Sequence, residues 1–415
     1  MTTITPSSIR RPWLAVVFAL ASVAAIGQAG DEAPPSFTAA TLLAADVRKG
    51  PHHTVQDAVT TAGFFHEFQI ASDYGELEAI GLSQLTTRLN EVRALASLDE
   101  VSKSEVFLKS AGGAVVNVGK STAKVVTDPV ATAKGVGTGA KRMGVNLGRM
   151  TKRAVNSAGN ESEAAEPQGN AAEGTANSVL GVSGAMRRWA RKVGADPYTT
   201  NPVLLQALKD IARIDSAGSI AAKVVLPIPA IVTTSASVGD LVWGKDPEEL
   251  RKINEGRLKA LGVAQADAQR FFQNRGYTLT SQTRFIAALD AVKAKGLVAY
   301  VGAAAKASGE RNALFFVESV EMLQRAHAAA PIGAVLDDSE AMVARQGQRA
   351  LMLLPLDYVL STAQTREVMS EVSGRVKKEF AATQMEVRLT GQASARTRAE
   401  LTRLGWAVKE KQPLR

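Results

Sequence analysis

The sequence contains no cysteine, which excludes disulfides, thiolate nucleophiles, Cys-ligated zinc and iron–sulfur clusters at once. Histidine occurs only at His52, His53, His66 and His327, too sparsely for a His-built metal site with recognisable spacing. Aromatic residues make up 5% of the chain, which favours helices packed through small and aliphatic side chains. Long hydrophobic runs are missing as well. The run from Trp13 to Ile26 is shorter than the roughly 20 residues a spanning helix needs. Gly-x-Ser-x-Gly elbows, His-Glu-x-x-His helices and EF-hand loops do not occur, which disfavours the common hydrolases.

Two fragments look like chemistry and fail on spacing. Gly119-Lys120-Ser121 ends like a P-loop, but the phosphate cradle needs its first glycine at position 114, where Ala114 stands. Ser121-Thr122-Ala123-Lys124 has the Ser-x-x-Lys spacing of penicillin-recognising enzymes. No Lys-Thr/Ser-Gly strand follows it.

Arg10 and Arg11, the apolar run and the small residues Gly27-Gln28-Ala29 together read as a secretory signal over 1–29. Ile9 stands where a twin-arginine signal carries Ser or Thr, so general secretion is expected. The destination is a bacterial periplasm or the periphery of the envelope.

The net charge of +9 is unevenly placed: residues 101–192 hold 14 Lys/Arg against 6 Asp/Glu. Over 111–155 apolar or small residues recur every three or four positions, with basic residues off that stripe. Many glycines and Pro129 argue against a stable free helix, so this segment suits a surface that covers its apolar stripe. Residues 156–178 are polar and acidic and read as a disordered linker. The candidate contacts to an anionic lipid surface or envelope polymer are Lys120, Lys124, Lys134, Lys141, Arg142, Arg149, Lys152, Arg153, Arg187, Arg188, Trp189, Arg191 and Lys192. Trp189 is included because indole prefers the headgroup level.

The expected fold class is mainly α with α+β parts. Residues 30–110 form a strand-plus-helix segment, with 31–50 as a tether. Phe64–Ile70 alternates as a strand with His66 as a core residue, Asp73-Tyr74-Gly75 turns, and a helix runs through Leu77, Ile80, Leu85, Leu89, Val92 and Leu95, with Arg88 and Glu91 on its other faces. Residues 179–330 read as a helical bundle opened in part by Asp246-Pro247-Glu248-Glu249, with Leu297–Val301 as a short strand. Residues 331–415 read as a small α/β unit: a buried strand at Ala350–Leu354, a helical stretch through Tyr358, Leu360, Val368 and Val372, then strand, helix and strand ending at Trp406-Ala407-Val408.

These readings converge on an exported, non-catalytic binding or structural protein, with a protein partner for its folded parts and no expected cofactor, metal or nucleic acid. The alternative is an exported, hydrolase-like enzyme. It would use the carboxylates Asp337, Asp338 or Asp357 in a pocket beside the C-terminal unit.

Overall fold

The computed structural model describes residues 30–111, 118, 183–215, 219–224, 235–337, 339 and 341–414. Its fold is mixed α/β. The expected signal over 1–29, the linker 156–178 and nearly all of the basic segment lie outside the described residues.

The N-terminal part is built on one long strand. After β1 (Phe37–Thr38), α1 (Ala39–Leu42), α2 (Ala45–Arg48) and β2 (Lys49–Gly50), the chain forms β3 (His53–Val55) and β4 (Ala58–Ala62). Both pair antiparallel with one edge of β5 (Phe65–Ser72), while β6 (Gly75–Ile80) pairs with the other. His66, Phe68 and Ile70 are buried on one face of β5, as their alternation requires. Residues 37–50, read as tether, are folded instead: β1 pairs with β4 and β2 with β3. Leu77 and Ile80, read as helical, belong to β6, because the Asp73-Tyr74 turn returns the chain against β5 before Gly81 (φ 93°) redirects it.

Gly81 leads into α3 (Leu82–Lys103). Leu85 and Leu89 join Phe68, Ile70 and Ala79 in one apolar cluster, whereas Val92, Leu95 and Leu98 join a second cluster of helices. That second cluster holds α4 (Glu105–Ser110), α5 (Gly184–Lys192), α6 (Pro202–Ile214), α7 (Ser219–Lys223) and α8 (Ala236–Gly244). Next come α9 (Pro247–Ala260), α10 (Gln265–Gln273), α11 (Leu279–Val292), α12 (Leu297–Ala304) and α13 (Gly309–Ala329). Asp246 caps α9 by accepting from the Glu249 N–H at 2.8 Å, with Pro247 at the first position. Leu297–Val301 is helical in α12 rather than extended. The positive φ of Gly296 starts a new turn there, and Leu297, Tyr300, Val301 and Ala304 meet the core at helical spacing.

The largest cluster runs from α9–α13 into the last sheet. That sheet has the order β13-β11-β9-β8-β7, from β7 (Ala334–Val335), β8 (Met342–Gln346), β9 (Arg349–Leu354), β11 (Gln384–Leu389) and β13 (Trp406–Lys409). β9, β11 and β13 are parallel, joined through α14 (Ala363–Arg375) and α15 (Ala395–Leu404). Ser394 caps α15, and Gly405 (φ 99°) ends it. β9 is buried throughout its apolar run, as both covered faces demand. Tyr358, read as helical, lies in β10 (Tyr358–Val359), which pairs parallel with β12 (Gln392–Ala393).

This small pair brings two backbones very close. A Cβ on Gly391 would stand 1.9 Å from the Asp357 carbonyl oxygen. Gly391→Ala is therefore expected to cost about 3 kcal/mol or more, because the backbone itself must shift. Urea unfolding of the variant checks this, and a loss below about 1 kcal/mol would contradict it.

Candidate functional site

The described part of the basic region is α5. Ser183 caps it by accepting from the Met186 N–H at 3.2 Å. Met186, Trp189 and Ala190 face inward, while Arg188 and Arg191 are exposed and Arg187 and Lys192 are half-buried. Arg191 approaches Asp240 at 3.8 Å on an exposed surface, and the Lys192 ammonium donates to the Ala221 carbonyl.

Trp189 corrects the sequence reading. It is fully buried, and its indole N–H donates to Asp215 Oδ2 at 3.0 Å. The same buried carboxylate accepts from the N–H groups of Ile220 and Ala221, both at 2.9 Å. An indole whose one polar atom is satisfied inside the core has no reason to seek an interface. Trp189 orients α5; it does not contact a surface. Lys120, Lys124, Lys134, Lys141, Arg142, Arg149, Lys152 and Arg153 lie outside the described residues. Phe107, Val118, Met186 and Trp189 share one apolar cluster.

Among the described residues, Asp337 and Asp357 share no hydrogen-bond partner. Asp357 is buried, and its Oδ2 accepts from the His66 N–H at 2.9 Å and the Leu82 N–H at 3.3 Å. Burial raises its pKa to about 6 against the pull of these two donors. Asp337 is exposed after β7, and its backbone oxygen accepts from Arg375 at 2.6 Å. Asp338 lies outside the described residues. Asp357 thus acts as a tether between backbones, and no hydrogen-bond partner links it to Asp337.

The histidines are structural in the way their surroundings imply. His66 Nδ1 lies 2.9 Å from Thr61 Oγ1, and burial lowers its pKa to about 4, so the ring stays neutral. His53 pairs with the Val47 carbonyl at 3.0 Å, and His52 with Asp73 at 2.9 Å. Among the described residues no group of three or more His, Asp or Glu is placed to hold a metal ion. A cleft of about 170 Å³ lined by Met322, Arg325, Leu353, Arg388, Gln412 and Pro413 is small for a cofactor. Arg388 there already donates to Glu386 at 2.6 Å.

The densest polar constellation was not legible as one. Arg88 and Glu91, read as outer-face residues of α3, are buried or nearly so because α3 is covered on more than one side. Glu91 accepts from Arg88 at 2.9 Å, from Asn201 at 3.1 Å and from the Thr199 hydroxyl. Beside it, Asp196 accepts from Thr280 at 2.6 Å and from the Tyr198 N–H at 2.8 Å. Arg284 holds Glu321 through two bonds of 2.8 and 2.9 Å. Desolvation raises the Asp196 pKa to about 6, with the Glu91 charge adding to it, while the hydrogen bonds and Arg284 oppose the rise. Asp196 therefore exchanges its proton near pH 6, and the lone pairs of this junction are directed at protein donors. The one signal in the sequence is Glu91 directly before core residue Val92, inside a helix whose apolar positions crowd around it.

The chain matches no protein-family model, no curated protein and no solved structure.

Removing the Asp357 carboxylate leaves two inward N–H groups without an acceptor, so Asp357→Ala should lower stability by about 2–3 kcal/mol. Exposed Asp337→Ala should stay within about 0.5 kcal/mol. Urea midpoints compare the two, and equal effects would refute the tether.

Asp196 yields a pH signature. A carboxyl raised in the folded state to about 6 contributes stability fully below its unfolded value near 3.8 and loses it as pH rises through about 6. The stability advantage of wild type over Asp196→Asn should therefore shrink by about 1–3 kcal/mol between pH ~4 and ~6 and level off above. His66, with the opposite slope, and Asp357 titrate in both proteins and cancel in the difference. Urea midpoints across this range that differ by a constant amount would contradict the assignment.

Proposed function

We propose that the protein is an exported, non-catalytic binding protein of a bacterial envelope, built from a helical body, a C-terminal α/β unit and a basic middle segment. Residues 111–155 carry eight Lys/Arg against the single acid Asp128. With Arg187, Arg188, Arg191 and Lys192 they contact an anionic lipid surface or envelope polymer, while the folded parts hold a protein partner. The supporting observation is the placement of α5. Its buried Trp189–Asp215 bond fixes the helix with Arg188 and Arg191 outward, in the cluster that also holds Phe107 and Val118. Clustered cations gain from an anionic face in a way single surface charges do not. Among the described residues no helix is long and apolar enough to cross a membrane, so attachment would be peripheral. The enzyme reading has less support, since the Asp357 carboxylate is engaged by backbone N–H groups.

Co-sedimentation with neutral and anionic phospholipid vesicles tests the proposal. Binding is expected to anionic vesicles alone and to disappear at high salt. Arg188→Glu/Arg191→Glu should weaken it at least about tenfold, and deletion of 119–155 should abolish it with folding intact. Undiminished binding after that deletion would overturn the reading.

A further inference from the structure

The first described residues are seated far from their sequence neighbours. Glu32 Oε2 accepts from the Ser361 N–H at 2.6 Å and from the Ser394 hydroxyl at 2.5 Å. Its own N–H donates to the Ser361 carbonyl at 3.0 Å. Asp31 Oδ1 accepts from the Ala363 N–H at 2.6 Å and faces Arg366 at 3.5 Å. The Gly30 carbonyl accepts from Arg366 at 3.2 Å and from Arg396 at 2.6 Å. Both carboxylates thus lie at the N-terminus of α14, where backbone N–H groups and the helix dipole favour negative charge, and Glu32 also reaches the hydroxyl of Ser394, the cap of α15.

The receiving groups form a built site. Ser361 and Ser394 are buried, and the arginines converge on the segment from both helices. Glu400 supplies the counter-charge, accepting from Ser361 Oγ at 2.9 Å and from Arg396 at 3.3 Å. The occupant is held differently from a core element. Ala33, Pro34 and Ser36 are exposed, so 30–36 is retained by charge and hydrogen bonds with little apolar burial. Such contacts are weak in water and exchange readily.

We infer that the paired N-termini of α14 and α15, with Arg366 and Arg396, are a binding site for an acidic peptide of a partner protein, filled in this state by the chain's own Asp31-Glu32. The bond from the Glu32 N–H to the Ser361 carbonyl selects a peptide over a free anion. The adjacent carboxylates, Asp31 on the Ala363 N–H and Glu32 on the Ser361 N–H and the Ser394 hydroxyl, select consecutive acids. The chain's own segment acts as an internal competitor, present at the millimolar effective concentration of a short tether. The site is independent of the basic surface.

The experiment uses the full chain and a fluorescent acetylated peptide, Gly-Asp-Glu-Ala-Pro-Pro, read by anisotropy at low salt. Asp31→Asn/Glu32→Gln should bind it at least about tenfold more tightly than wild type, since the competitor is weakened. An Asn-Gln version of the peptide should not bind, and adding Arg366→Ala/Arg396→Ala should abolish binding. A folded Asp31→Asn/Glu32→Gln chain that binds no better than wild type, or binds both peptides equally, overturns the inference. Wild-type hydrogen exchange covers the case in which that variant does not fold. Amides of 361–366 should lose protection as salt rises from about 0.05 to about 1 M while those of α13 do not. Protection that persists at high salt would also overturn it.

Discussion

The N-terminal sheet and the C-terminal unit depend on a single residue, Asp357. Its side chain accepts from the backbones of His66 and Leu82, the starts of β5 and α3. Its own N–H donates to the Phe64 carbonyl, and its carbonyl accepts from Gln392. One residue thereby fixes where the long strand begins, where the long helix begins and where the β10–β12 pair closes. Gly391 is the steric counterpart, since no side chain fits where these backbones meet. The raised pKa of Asp357 records the opposition of forces. Burial disfavours the charge, and two backbone donors favour it without fully offsetting the desolvation.

The same device recurs in the helical body. Asp215 ties α5 to the start of α7 inside the second cluster. Glu91 ties α3 to the entry of α6 through Thr199 and Asn201. α9 and α11 each contribute to two clusters: Leu250 and Leu279 to one, Leu258 and Phe285 to the other. Polar junctions of this kind contribute little net stability when complete but penalise any arrangement that leaves a member unpaired. They make the relative placement of the clusters specific, which apolar packing alone does less well.

Local patterns were legible where an alternation, a continuous apolar run or a pair of caps marked them. The β5 alternation, the Asp246-Pro247 helix start, β9, β11 and the Ser394–Gly405 helix follow directly from period and caps. The failures share a cause. Leu77 and Ile80 fit a helical spacing, but the hairpin partner that made them a strand lies across a turn. Arg88 and Glu91 looked exposed because polar residues usually are, and only the approach of the 196–201 loop covers them. Trp189 sits among arginines in sequence and among aliphatic side chains in space, since a helix separates neighbours onto opposite faces. Asp357 was singled out as an acid, but its role as a tether could not be read from its own neighbourhood. Both of its carboxylate's donors are more than 270 positions away.

That separation has a kinetic consequence. The start of β5 is completed by residues near 357, themselves held by residues near 391, so the first sheet cannot finish until almost the whole chain is available. Loop closure over such distances must precede the contacts that reward it, which slows folding. During synthesis the N-terminal strands emerge long before their final partner. Until then the His66 N–H at the start of β5 lacks its acceptor, and the early chain needs protection from association with other chains.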